Sequence, residues 1–373
     1  MGPTFVQINH SHLLHNYSLI RDAVKPAMVM AVVKANAYGH GNIEISQTLV
    51  QNNVDYLGVA FHEEAISLRQ AGIETPILVF GAQLIKYFDQ FLDYNLDLTI
   101  TQIEQLSALE KICQAKKKKA KIHLKIDTGM NRVGFYPDSF KQAFEKAANS
   151  KWIVIVGVYS HLSSADESDP AYTEMQIDRF TEIKNYIQEK YSTKILFHLA
   201  NSAAIMNFPS AHFDMVRPGV MLYGNPPSPG FKTDWDLQEV MRFRSEVALI
   251  KDVEKNEPVS YNRRFYTPEK TKVAVIPVGY ADGYNRKLTN IGKVIINGEK
   301  YPVIGTVCMD QILVHLGHAS KVKIGDEAVL FGKQGNNHIS ISDISKQLNT
   351  IPYEVTCWPS SRVARIHLNM KNP

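Results

Sequence analysis

Short apolar runs alternate with amphipathic segments through the first part of the chain. Eight such runs lie near residues 28–33, 56–60, 77–80, 96–100, 121–126, 153–158, 195–199 and 213–217. Between them, segments such as Glu63 to Gln70 and Tyr172 to Glu189 have the polar and apolar pattern of helices. A further helix is predicted near Ser11 to Val24, with Ser11 as its N-cap. Eight strand–helix repeats within about 230 residues predict a parallel (β/α)8 barrel of the TIM type. An open doubly wound sheet is the alternative, but no GxGxxG motif follows the first run.

The pattern changes after Tyr223-Gly224. The next residues, Asn225-Pro226-Pro227-Ser228-Pro229-Gly230, suit neither helix nor strand and predict a domain boundary. Beyond it, Val294-Ile295-Ile296 and Tyr301-Pro302-Val303 flank Asn297-Gly298, which predicts a hairpin with a type I′ turn. One helix is predicted near Ser342 to Leu348. We therefore expect an α/β chain, with the barrel over residues 1–228 and a mostly β C-terminal domain over residues 229–373.

Composition and charge narrow the class of protein. The 373 residues include 41 basic and 37 acidic side chains, a net charge of +4 that is too balanced to predict nucleic-acid binding. The cysteines Cys113, Cys308 and Cys357 are far apart, which predicts neither a disulfide framework nor a metal site and favours a reducing compartment. The N-terminus lacks the pattern of a leader peptide, and no apolar stretch reaches membrane length. We expect a cytoplasmic protein that binds neither a membrane nor a metal.

Polar side chains follow the ends of several predicted strands, and barrel active sites lie at those ends. Lys34 ends the first run, where burial would lower the pKa of its amine and allow a Schiff base. The other polar or glycine residues at strand ends are Lys125, Arg132, His161, Ser202, Arg217 and Gly219. Each has an ordinary explanation as a packed lysine stem, a rim salt bridge or a helix N-cap. Separate structural explanations are less convincing for six polar side chains that are predicted at the same barrel mouth, and a shared binding site becomes the better interpretation.

The chemistry of this set suits an anionic aromatic aldehyde. Ser202 and the backbone at Gly219 could bind a phosphate, and the absence of a Cβ at Gly219 would allow close approach. Lys34 could form an imine with the aldehyde, and Arg217 could reach a ring nitrogen. Arg132 could donate to a phenolate or a carboxylate. Pyridoxal phosphate has all of these groups.

Seven motifs connect this hypothesis to a known family. Those in the barrel are AVVKANAYGHG at 31–41, KIDTGMNR at 125–132 and RPGVMLYG at 217–224. Those beyond it are VSY at 259–261, IPVGYADGY at 276–284, GTVCMDQ at 305–311 and IPYEV at 351–355. In this order, across nearly the whole chain, they resemble alanine racemase.

The resemblance implies a fold-type III, pyridoxal 5'-phosphate-dependent amino-acid racemase that works as a head-to-tail homodimer with shared active sites. Such an isomerase interconverts L-alanine and D-alanine by two-base proton transfer on a pyridoxal phosphate aldimine and supplies D-alanine for cell-wall peptidoglycan. Lys34 matches the lysine that holds the cofactor and serves the D face of the substrate. Tyr261 matches the tyrosine that serves the L face from the partner subunit.

Further positions match the family's binding residues. Arg132 matches the arginine at the cofactor's phenolic oxygen and the substrate carboxylate, and Lys125 matches a lysine often found carbamylated, which would hold Arg132 in place. Arg217 matches the arginine at the pyridine nitrogen, with His161 behind it. The remaining matches are the phosphate contacts Tyr38, Ser202, Gly219 and Tyr353, the backbone donor Met309 with the supporting Asp310 and Tyr280, and the gate tyrosines Tyr284 and Tyr353.

Two positions depart from the family pattern. Thr306 stands where the family usually has arginine, and Ser160 stands where threonine is more usual before the histidine. We expect the first change to affect only local loop packing. Two alternatives to an alanine racemase stay open: a related racemase of broader or serine specificity, and a non-enzymatic pyridoxal-phosphate carrier, which is known as a lone barrel. The second domain, which carries Tyr261 and Met309, speaks against a carrier.

Overall fold

The computed structural model describes residues 2–192 and 194–370. The first part of the chain contains, in order, β1 (Phe5–Asn9), α1 (His10–Val24), β2 (Met28–Val32), α2 (Lys34–Tyr38), α3 (Asn42–Gln51), β3 (Tyr56–Val59), α4 (His62–Gln70), β4 (Ile77–Val79), α5 (Phe88–Asp93), β5 (Asp97–Ile100), α6 (Ile103–Lys116), β6 (Ala120–Lys125), α7 (Pro137–Ala148), β7 (Ile153–Tyr159), α8 (Ala171–Lys190), β8 (Leu196–His198), α9 (Ser202–Asn207) and β9 (Met215–Val216). Short 3-10 helices lie at Ile85–Tyr87, Pro209–Ala211 and Val220–Tyr223.

The second part is mostly β. It contains β10 (Met241–Glu246), β11 (Leu249–Val253), β12 (Pro258–Val259), β13 (Phe265–Tyr266), β14 (Thr271–Ile276), β15 (Lys293–Ile296), β16 (Glu299–Pro302), β17 (Ile312–Gly317), β18 (Glu327–Gln334), β19 (Asn337–Ile339), α10 (Ile341–Gln347), α11 (Pro352–Cys357) and β20 (Ala364–Leu368). Short 3-10 helices lie at Tyr261–Arg263 and Arg286–Leu288. No helix among the described residues is long and apolar enough to cross a lipid bilayer.

The eight strands β2 to β9 form the predicted barrel. They pair in parallel in the order β9-β2-β3-β4-β5-β6-β7-β8. The backbone N–H of Asp214, just before β9, donates to the carbonyl of Phe197 in β8 at 2.9 Å and so joins the two end strands. The predicted (β/α)8 architecture followed by a mostly β domain is confirmed.

Side chains alternate along these strands between the barrel interior and the surrounding helices. Leu57 and Val59 in β3 join the large core under the helices, whereas Tyr56 belongs to a small separate cluster with Met30 and Leu78. Polar side chains share this alternation: Asp97, Thr99, His123, Lys125 and His198 are all buried on β5, β6 and β8. The barrel therefore contains an unusually polar centre beside its small apolar cluster.

The largest sheet of the second part has the order β16-β15-β18-β10-β1-β20. Strand β1 runs antiparallel to β10 and parallel to β20, so the first strand of the chain lies outside the barrel. The boundary predicted between residues 228 and 229 stays a prediction, but residues 5–9 pair with the second domain rather than with the first. The predicted hairpin is confirmed: Ile296 faces Glu299, and Asn297 and Gly298 both have the positive φ of a type I′ turn.

The predicted N-cap of the first helix is wrong by two residues. The side-chain oxygen of Asn9 accepts hydrogen bonds from the backbone N–H groups of Ser11 and His12, at 3.0 and 3.4 Å. Asn9 ends β1, so α1 follows that strand without an intervening loop. Asn9 and Ser11 are both residue types that cap helices. The helix begins after Asn9 because β1, which the sequence did not reveal, ends there.

Candidate active site

Lys34 lies where β2 ends, at the start of a left-handed turn. Ala35, Asn36, Ala37 and Tyr38 have φ values of 52, 54, 52 and 53°. This conformation costs roughly 1–2 kcal/mol for each non-glycine residue, and such strain often accompanies functional sites. Gly39 continues the turn at φ 85°, and a Cβ there would lie 2.2 Å from the carbonyl oxygen of Thr356. The turn therefore requires support from its surroundings.

Two ionic side chains hold this turn from opposite sides. The carboxylate of Glu64 accepts the backbone N–H of Ala35 at 2.6 Å and also those of Ala60 and Phe61, at 2.8 and 3.1 Å. The guanidinium of Arg365 donates to the carbonyl of Gly39 at 3.1 Å. Helix α4 and strand β20 thus fix the backbone that follows Lys34.

The amines of Lys34 and Lys125 share a desolvated, cationic environment. Burial, followed by the charge of Arg132, lowers the pKa of Lys34. Burial, then Arg217 and Arg132, lowers the pKa of Lys125 to about 7. The Nζ atom of Lys125 lies 4.8 Å from the centre of the Tyr159 ring, and no carboxylate of the described residues lies within 4 Å of it. Both lysines therefore lose their proton more readily than an exposed lysine does.

Asp127 organises the loop that carries Arg132. One of its oxygens accepts the backbone N–H groups of Gly129 and Asn131, at 2.9 and 3.0 Å, and the other accepts that of Arg132 at 3.1 Å. The Arg132 side chain is exposed, and its charge acts on both Lys34 and His161. Among the described residues, the Arg132 guanidinium has no hydrogen-bond or ion-pair partner, so the loop leaves it available at the barrel mouth.

Arg217 is 4% exposed and makes four hydrogen bonds with neutral acceptors. It donates to the carbonyls of Ser160 and Leu199 at 2.7 and 2.9 Å, to Nδ1 of His198 at 3.0 Å and to Nδ1 of His161 at 3.3 Å. Burial lowers the pKa of Arg217 to about 10, so it stays protonated near neutral pH. Burial and the neighbouring cations, Arg217 first, keep the pKa of His161 well below its usual range. The guanidinium is rigid and its imidazole neighbours are neutral.

Ser202, Gly219 and Tyr38 form a small polar cradle. The Ser202 hydroxyl accepts the backbone N–H of Gly219 at 3.0 Å, which leaves its own proton free to donate. A Cβ at Gly219 would lie 2.5 Å from Oη of Tyr38, so this space exists only because residue 219 is glycine. Tyr353, in α11, packs its ring 5.8 Å from that of Tyr38. Ser202 does not cap α9; the Asn201 side chain does, accepting the N–H of Ala204 at 3.1 Å.

A second group of predicted site residues lies on the exposed surface of the second domain. Tyr261, Tyr280 and Met309 are 68, 42 and 52% exposed. The backbone N–H groups of Tyr280 and Ala281 donate to the carbonyls of Cys308 and Met309, both at 3.1 Å, which joins these loops. Asp310 accepts a hydrogen bond from Arg362 at 2.8 Å. In the described parts of the chain, no hydrogen bond or ion pair links this exposed group to Lys34.

Thr306 has a role that the sequence did not indicate. Its hydroxyl donates to the carbonyl of Tyr261 at 2.8 Å, and the carbonyl of Thr306 accepts the hydroxyl of Ser260 at 2.6 Å. Ser260 is held at φ 65°, in the region that favours glycine. Because Thr306 is 2% exposed, it fixes the turn that carries Tyr261 from beneath. The expected effect on local loop packing therefore extends to a predicted site residue.

Tyr284, predicted as a gate residue, lies in the interior of the second domain. Its side chain is 4% exposed and belongs to the hydrophobic core of the second domain. A Cβ at Gly292 would lie 2.4 Å from its hydroxyl. Tyr280, four residues earlier in the same motif, is exposed, and the gate role of Tyr284 stays a prediction. The sequence motif contained both tyrosines and did not distinguish the buried one.

The residues at the barrel mouth fit pyridoxal phosphate. A cradle that a Cβ would fill, with the Ser202 hydroxyl and the N–H groups around Gly219, suits a phosphate. A desolvated lysine suits an aldehyde, and the cationic side chains of Arg132 and Arg217 suit the oxygen and nitrogen of the ring. The fold and these groups define the barrel class of pyridoxal-phosphate-dependent enzymes.

Comparison with known proteins identifies the family within this class. The model of the alanine racemase N-terminal domain matches residues 8–227, and that of the alanine racemase C-terminal domain matches residues 240–367. The chain therefore belongs to the alanine racemase family.

Individual relatives agree over nearly the whole length. Alanine racemase 2 of Caldanaerobacter subterraneus is 40% identical over 368 residues, which are 98% of this chain and 95% of the relative. The solved alanine racemase of Clostridium difficile 630 has a TM-score of 0.93 at 36% identity and covers 99% of this chain and 96% of its own. The alanine racemase of Bartonella henselae, solved with covalently bound pyridoxal phosphate, has a TM-score of 0.88 at 28% identity, over 99% of this chain and 100% of its own.

Proposed function

We propose that the protein interconverts L-alanine and D-alanine with pyridoxal 5'-phosphate as its cofactor. The observation that carries this proposal is the barrel mouth, where a desolvated Lys34 lies with Arg132, Arg217 and the glycine-dependent cradle at Gly219. Family membership over both domains supports it. The third possibility, a carrier without catalytic activity, is disfavoured because the chain includes the second domain of the family.

When bound, the cofactor withdraws electrons from the α-carbon of an amino acid and so acidifies its hydrogen. The protein's own groups position it. Lys34 would attach the cofactor, and its lowered pKa makes the amine a better base for one face of the substrate than an exposed lysine. The hydroxyls of Ser202 and Tyr38 would hold the phosphate in the space left at Gly219, with Tyr353 packed behind Tyr38.

Arg217 sets the character of the cofactor ring. The Arg217 guanidinium would face the ring nitrogen of a bound cofactor and, because it keeps its own proton near neutral pH, would act there as a hydrogen-bond donor and not as an acid. Such a partner would moderate the electron withdrawal that the cofactor supplies. Arg132 is free to bind the phenolic oxygen and the substrate carboxylate. This arrangement favours a racemase over a decarboxylase.

We infer that Tyr261 provides the second base from a partner subunit. A base on each face of the substrate allows racemisation without turning the substrate. Tyr261 is largely exposed in the single chain, together with Tyr280 and Met309. An exposed aromatic and methionine surface is typical of a protein interface. A head-to-tail homodimer would bring this surface to the partner's Lys34, where the backbone at Met309 would meet the substrate carboxylate.

Mixing two inactive variants tests the shared site. Lys34→Ala and Tyr261→Phe subunits, unfolded and refolded together, should regain about a quarter of the wild-type activity, since half of the random dimers then contain one intact site of two. Each variant refolded alone is the control. No recovery, with mixed dimers demonstrated by native mass spectrometry, would contradict a site built from two subunits.

A chiral assay tests the substrate. We expect rapid conversion of L-alanine to D-alanine and much slower conversion of L-serine, although a small apolar pocket discriminates against an added hydroxyl by only about a hundredfold. Equal rates for serine would instead support the broader racemase. We further propose that the product supplies peptidoglycan synthesis in the cytoplasm, a location that the three unpaired cysteines support.

A further inference from the structure

The buried guanidinium of Arg217 has no carboxylate partner of its own. Its four acceptors are two carbonyls and two imidazoles, and no acidic oxygen of the described residues forms an ion pair with it within 4 Å. Lys125 adds positive charge nearby: the charge of Arg217 helps to lower the pKa of Lys125, and both cations help to lower the pKa of His161. An uncompensated buried charge is costly. We therefore looked for a negative charge that acts on Arg217 through the residues hydrogen-bonded to it.

One chain of hydrogen bonds leads from Arg217 through the barrel interior, and each proton in it can be placed. Arg217 can only donate, so Nδ1 of His198, at 3.0 Å, must be the acceptor. The ring proton of His198 is then on Nε2, which lies 2.9 Å from Nδ1 of His123. His123 accepts at Nδ1 and carries its own proton on Nε2.

The series leads to Asp97. Nε2 of His123 lies 3.4 Å from an oxygen of Asp97, which is within ion-pair distance but is not a hydrogen bond, and this nitrogen has no hydrogen-bond partner among the described residues. The Tyr56 hydroxyl donates to the same oxygen. Burial, together with Asp97, raises the pKa of Tyr56, so the phenol keeps its proton and acts as a donor. Asp97 is 2% exposed and His123 is fully buried.

The barrel is built to accommodate this chain. A Cβ at Gly157 in β7 would lie 2.4 Å from Nδ1 of His123, so glycine makes room for the ring. The Tyr159 ring stacks on that of His198 with centres 4.8 Å apart and planes 8° apart. Burial and the charge of Arg217 keep the pKa of His198 well below its usual range, so the ring relays polarity as a neutral group.

We propose that Asp97 is the counter-charge of Arg217, acting through His123 and His198, and so serves as a positioning residue for the racemase site. The two hydrogen bonds, from Arg217 to His198 and from His198 to His123, are both donated in the direction of Asp97, which assigns both imidazoles the Nε2–H tautomer and keeps Nδ1 of His198 an acceptor. Arg217 is thereby held as a permanent donor to the cofactor ring. Arg69 also acts electrostatically on Asp97 from the outside of the barrel, without an ion pair within 4 Å.

Ring 15N resonances of histidine-labelled holoenzyme test this directly. In the wild type, His123 and His198 should both carry their single ring proton on Nε2. This measurement requires no substrate, so it succeeds or fails independently of the proposed racemase activity. A wild-type His123 with its proton on Nδ1, or a charged His198, would overturn the proposal, whatever the variants do.

Asp97→Asn removes the charge and keeps the shape. We expect His123 to divide between two tautomers and kcat/KM for alanine to fall about tenfold through kcat, the size of coupling within one hydrogen-bond network. Asp55→Asn is the matched control, because Asp55 lies next to a barrel strand, accepts the Val29 N–H at 2.8 Å and lies 4.0 Å from Arg21, with no contact to His123 or His198 among the described residues. It should change neither the tautomers nor kcat/KM. Tyr56→Phe keeps the carboxylate and should leave both tautomers intact. Spectra of Asp97→Asn that superimpose on the wild type would refute the proposal.

Discussion

Replacing Gly219 by alanine should weaken cofactor binding because of one contact. The new Cβ would lie 2.5 Å from Oη of Tyr38 and 3.1 Å from its Cζ. The hydroxyl would have to move by about 1 Å to reach an ordinary contact distance. The Tyr38 ring lies with its centre 5.0 Å from that of Tyr223 and 5.8 Å from that of Tyr353, so it has little room to turn.

The size of the effect follows from this packing. Overpacking at a well-filled site costs about 1–3 kcal/mol. If most of that cost falls on the loaded protein, the dissociation constant for pyridoxal phosphate rises about 10- to 100-fold, since 1.4 kcal/mol is tenfold. Titration of the purified apoprotein, followed by the cofactor's visible absorbance, measures the constant.

A double-mutant cycle with Tyr38→Phe separates the clash from other causes. The single change Tyr38→Phe loses one donor to the phosphate and should weaken binding by roughly two- to tenfold. In the double variant the clashing hydroxyl is gone, so Gly219→Ala should cost clearly less than it does alone. Strictly additive effects, or wild-type affinity in Gly219→Ala, would show that the cradle is not where the phosphate binds.

Three further predictions address other parts of the site. Thr306→Val should lower turnover by about two- to tenfold at unchanged cofactor affinity, because the Tyr261 carbonyl loses its donor; equal loss in a Thr306→Ser control that keeps the hydroxyl would contradict this reason. Because the pKa of Lys125 is lowered to about 7, 13C-labelled bicarbonate should give a carbamate signal near neutral pH that is absent in Lys125→Met; its presence in that variant would place the modification elsewhere. Burial and His367 lower the pKa of His10 to about 4, so on acidification the unfolded state binds a proton at His10 before the folded state does. The free energy of unfolding should therefore fall by roughly 3 kcal/mol as the pH drops from 6.5 to 4. Denaturant titrations should show a smaller fall in His10→Gln, and an unchanged fall would exclude His10 as its source.

The barrel was accessible from the sequence because its signals are local. Buried parallel strands are continuous apolar runs, and the predicted runs near residues 77–80 and 153–158 correspond to β4 and β7 within a residue or so at each end. The hairpin at Asn297-Gly298 followed from turn chemistry alone. Strand β1 could not be placed in this way, because its partners β10 and β20 lie more than 200 residues away. Val6 and Ile8 alternate with partly buried neighbours, but nothing in these five residues indicates which strands they pair with.

The site was predictable where residue type and strand position coincide, as at Lys34, Ser202 and Arg217. It was not predictable where packing decides, as for Tyr280 and Tyr284, which differ in burial within one motif. The series of side chains from Arg217 through His198 and His123 to Asp97 could not be predicted either, because it joins strands that are distant in sequence. An alternation of polar residues with apolar ones in β5 and β6, at Asp97, Thr99 and His123, was the available signal for a polar barrel interior.

Reductive trapping of the bound cofactor tests the central claim most directly. Borohydride reduction of the holoenzyme, followed by proteolysis and peptide mapping, should place the label on Lys34 alone, and Lys34→Ala should yield no stable label. Lys125, a second buried lysine with a lowered pKa, is the natural internal control. A label on Lys125 or any other side chain, or none on the wild type, would contradict the assignment of this barrel mouth as a pyridoxal-phosphate site.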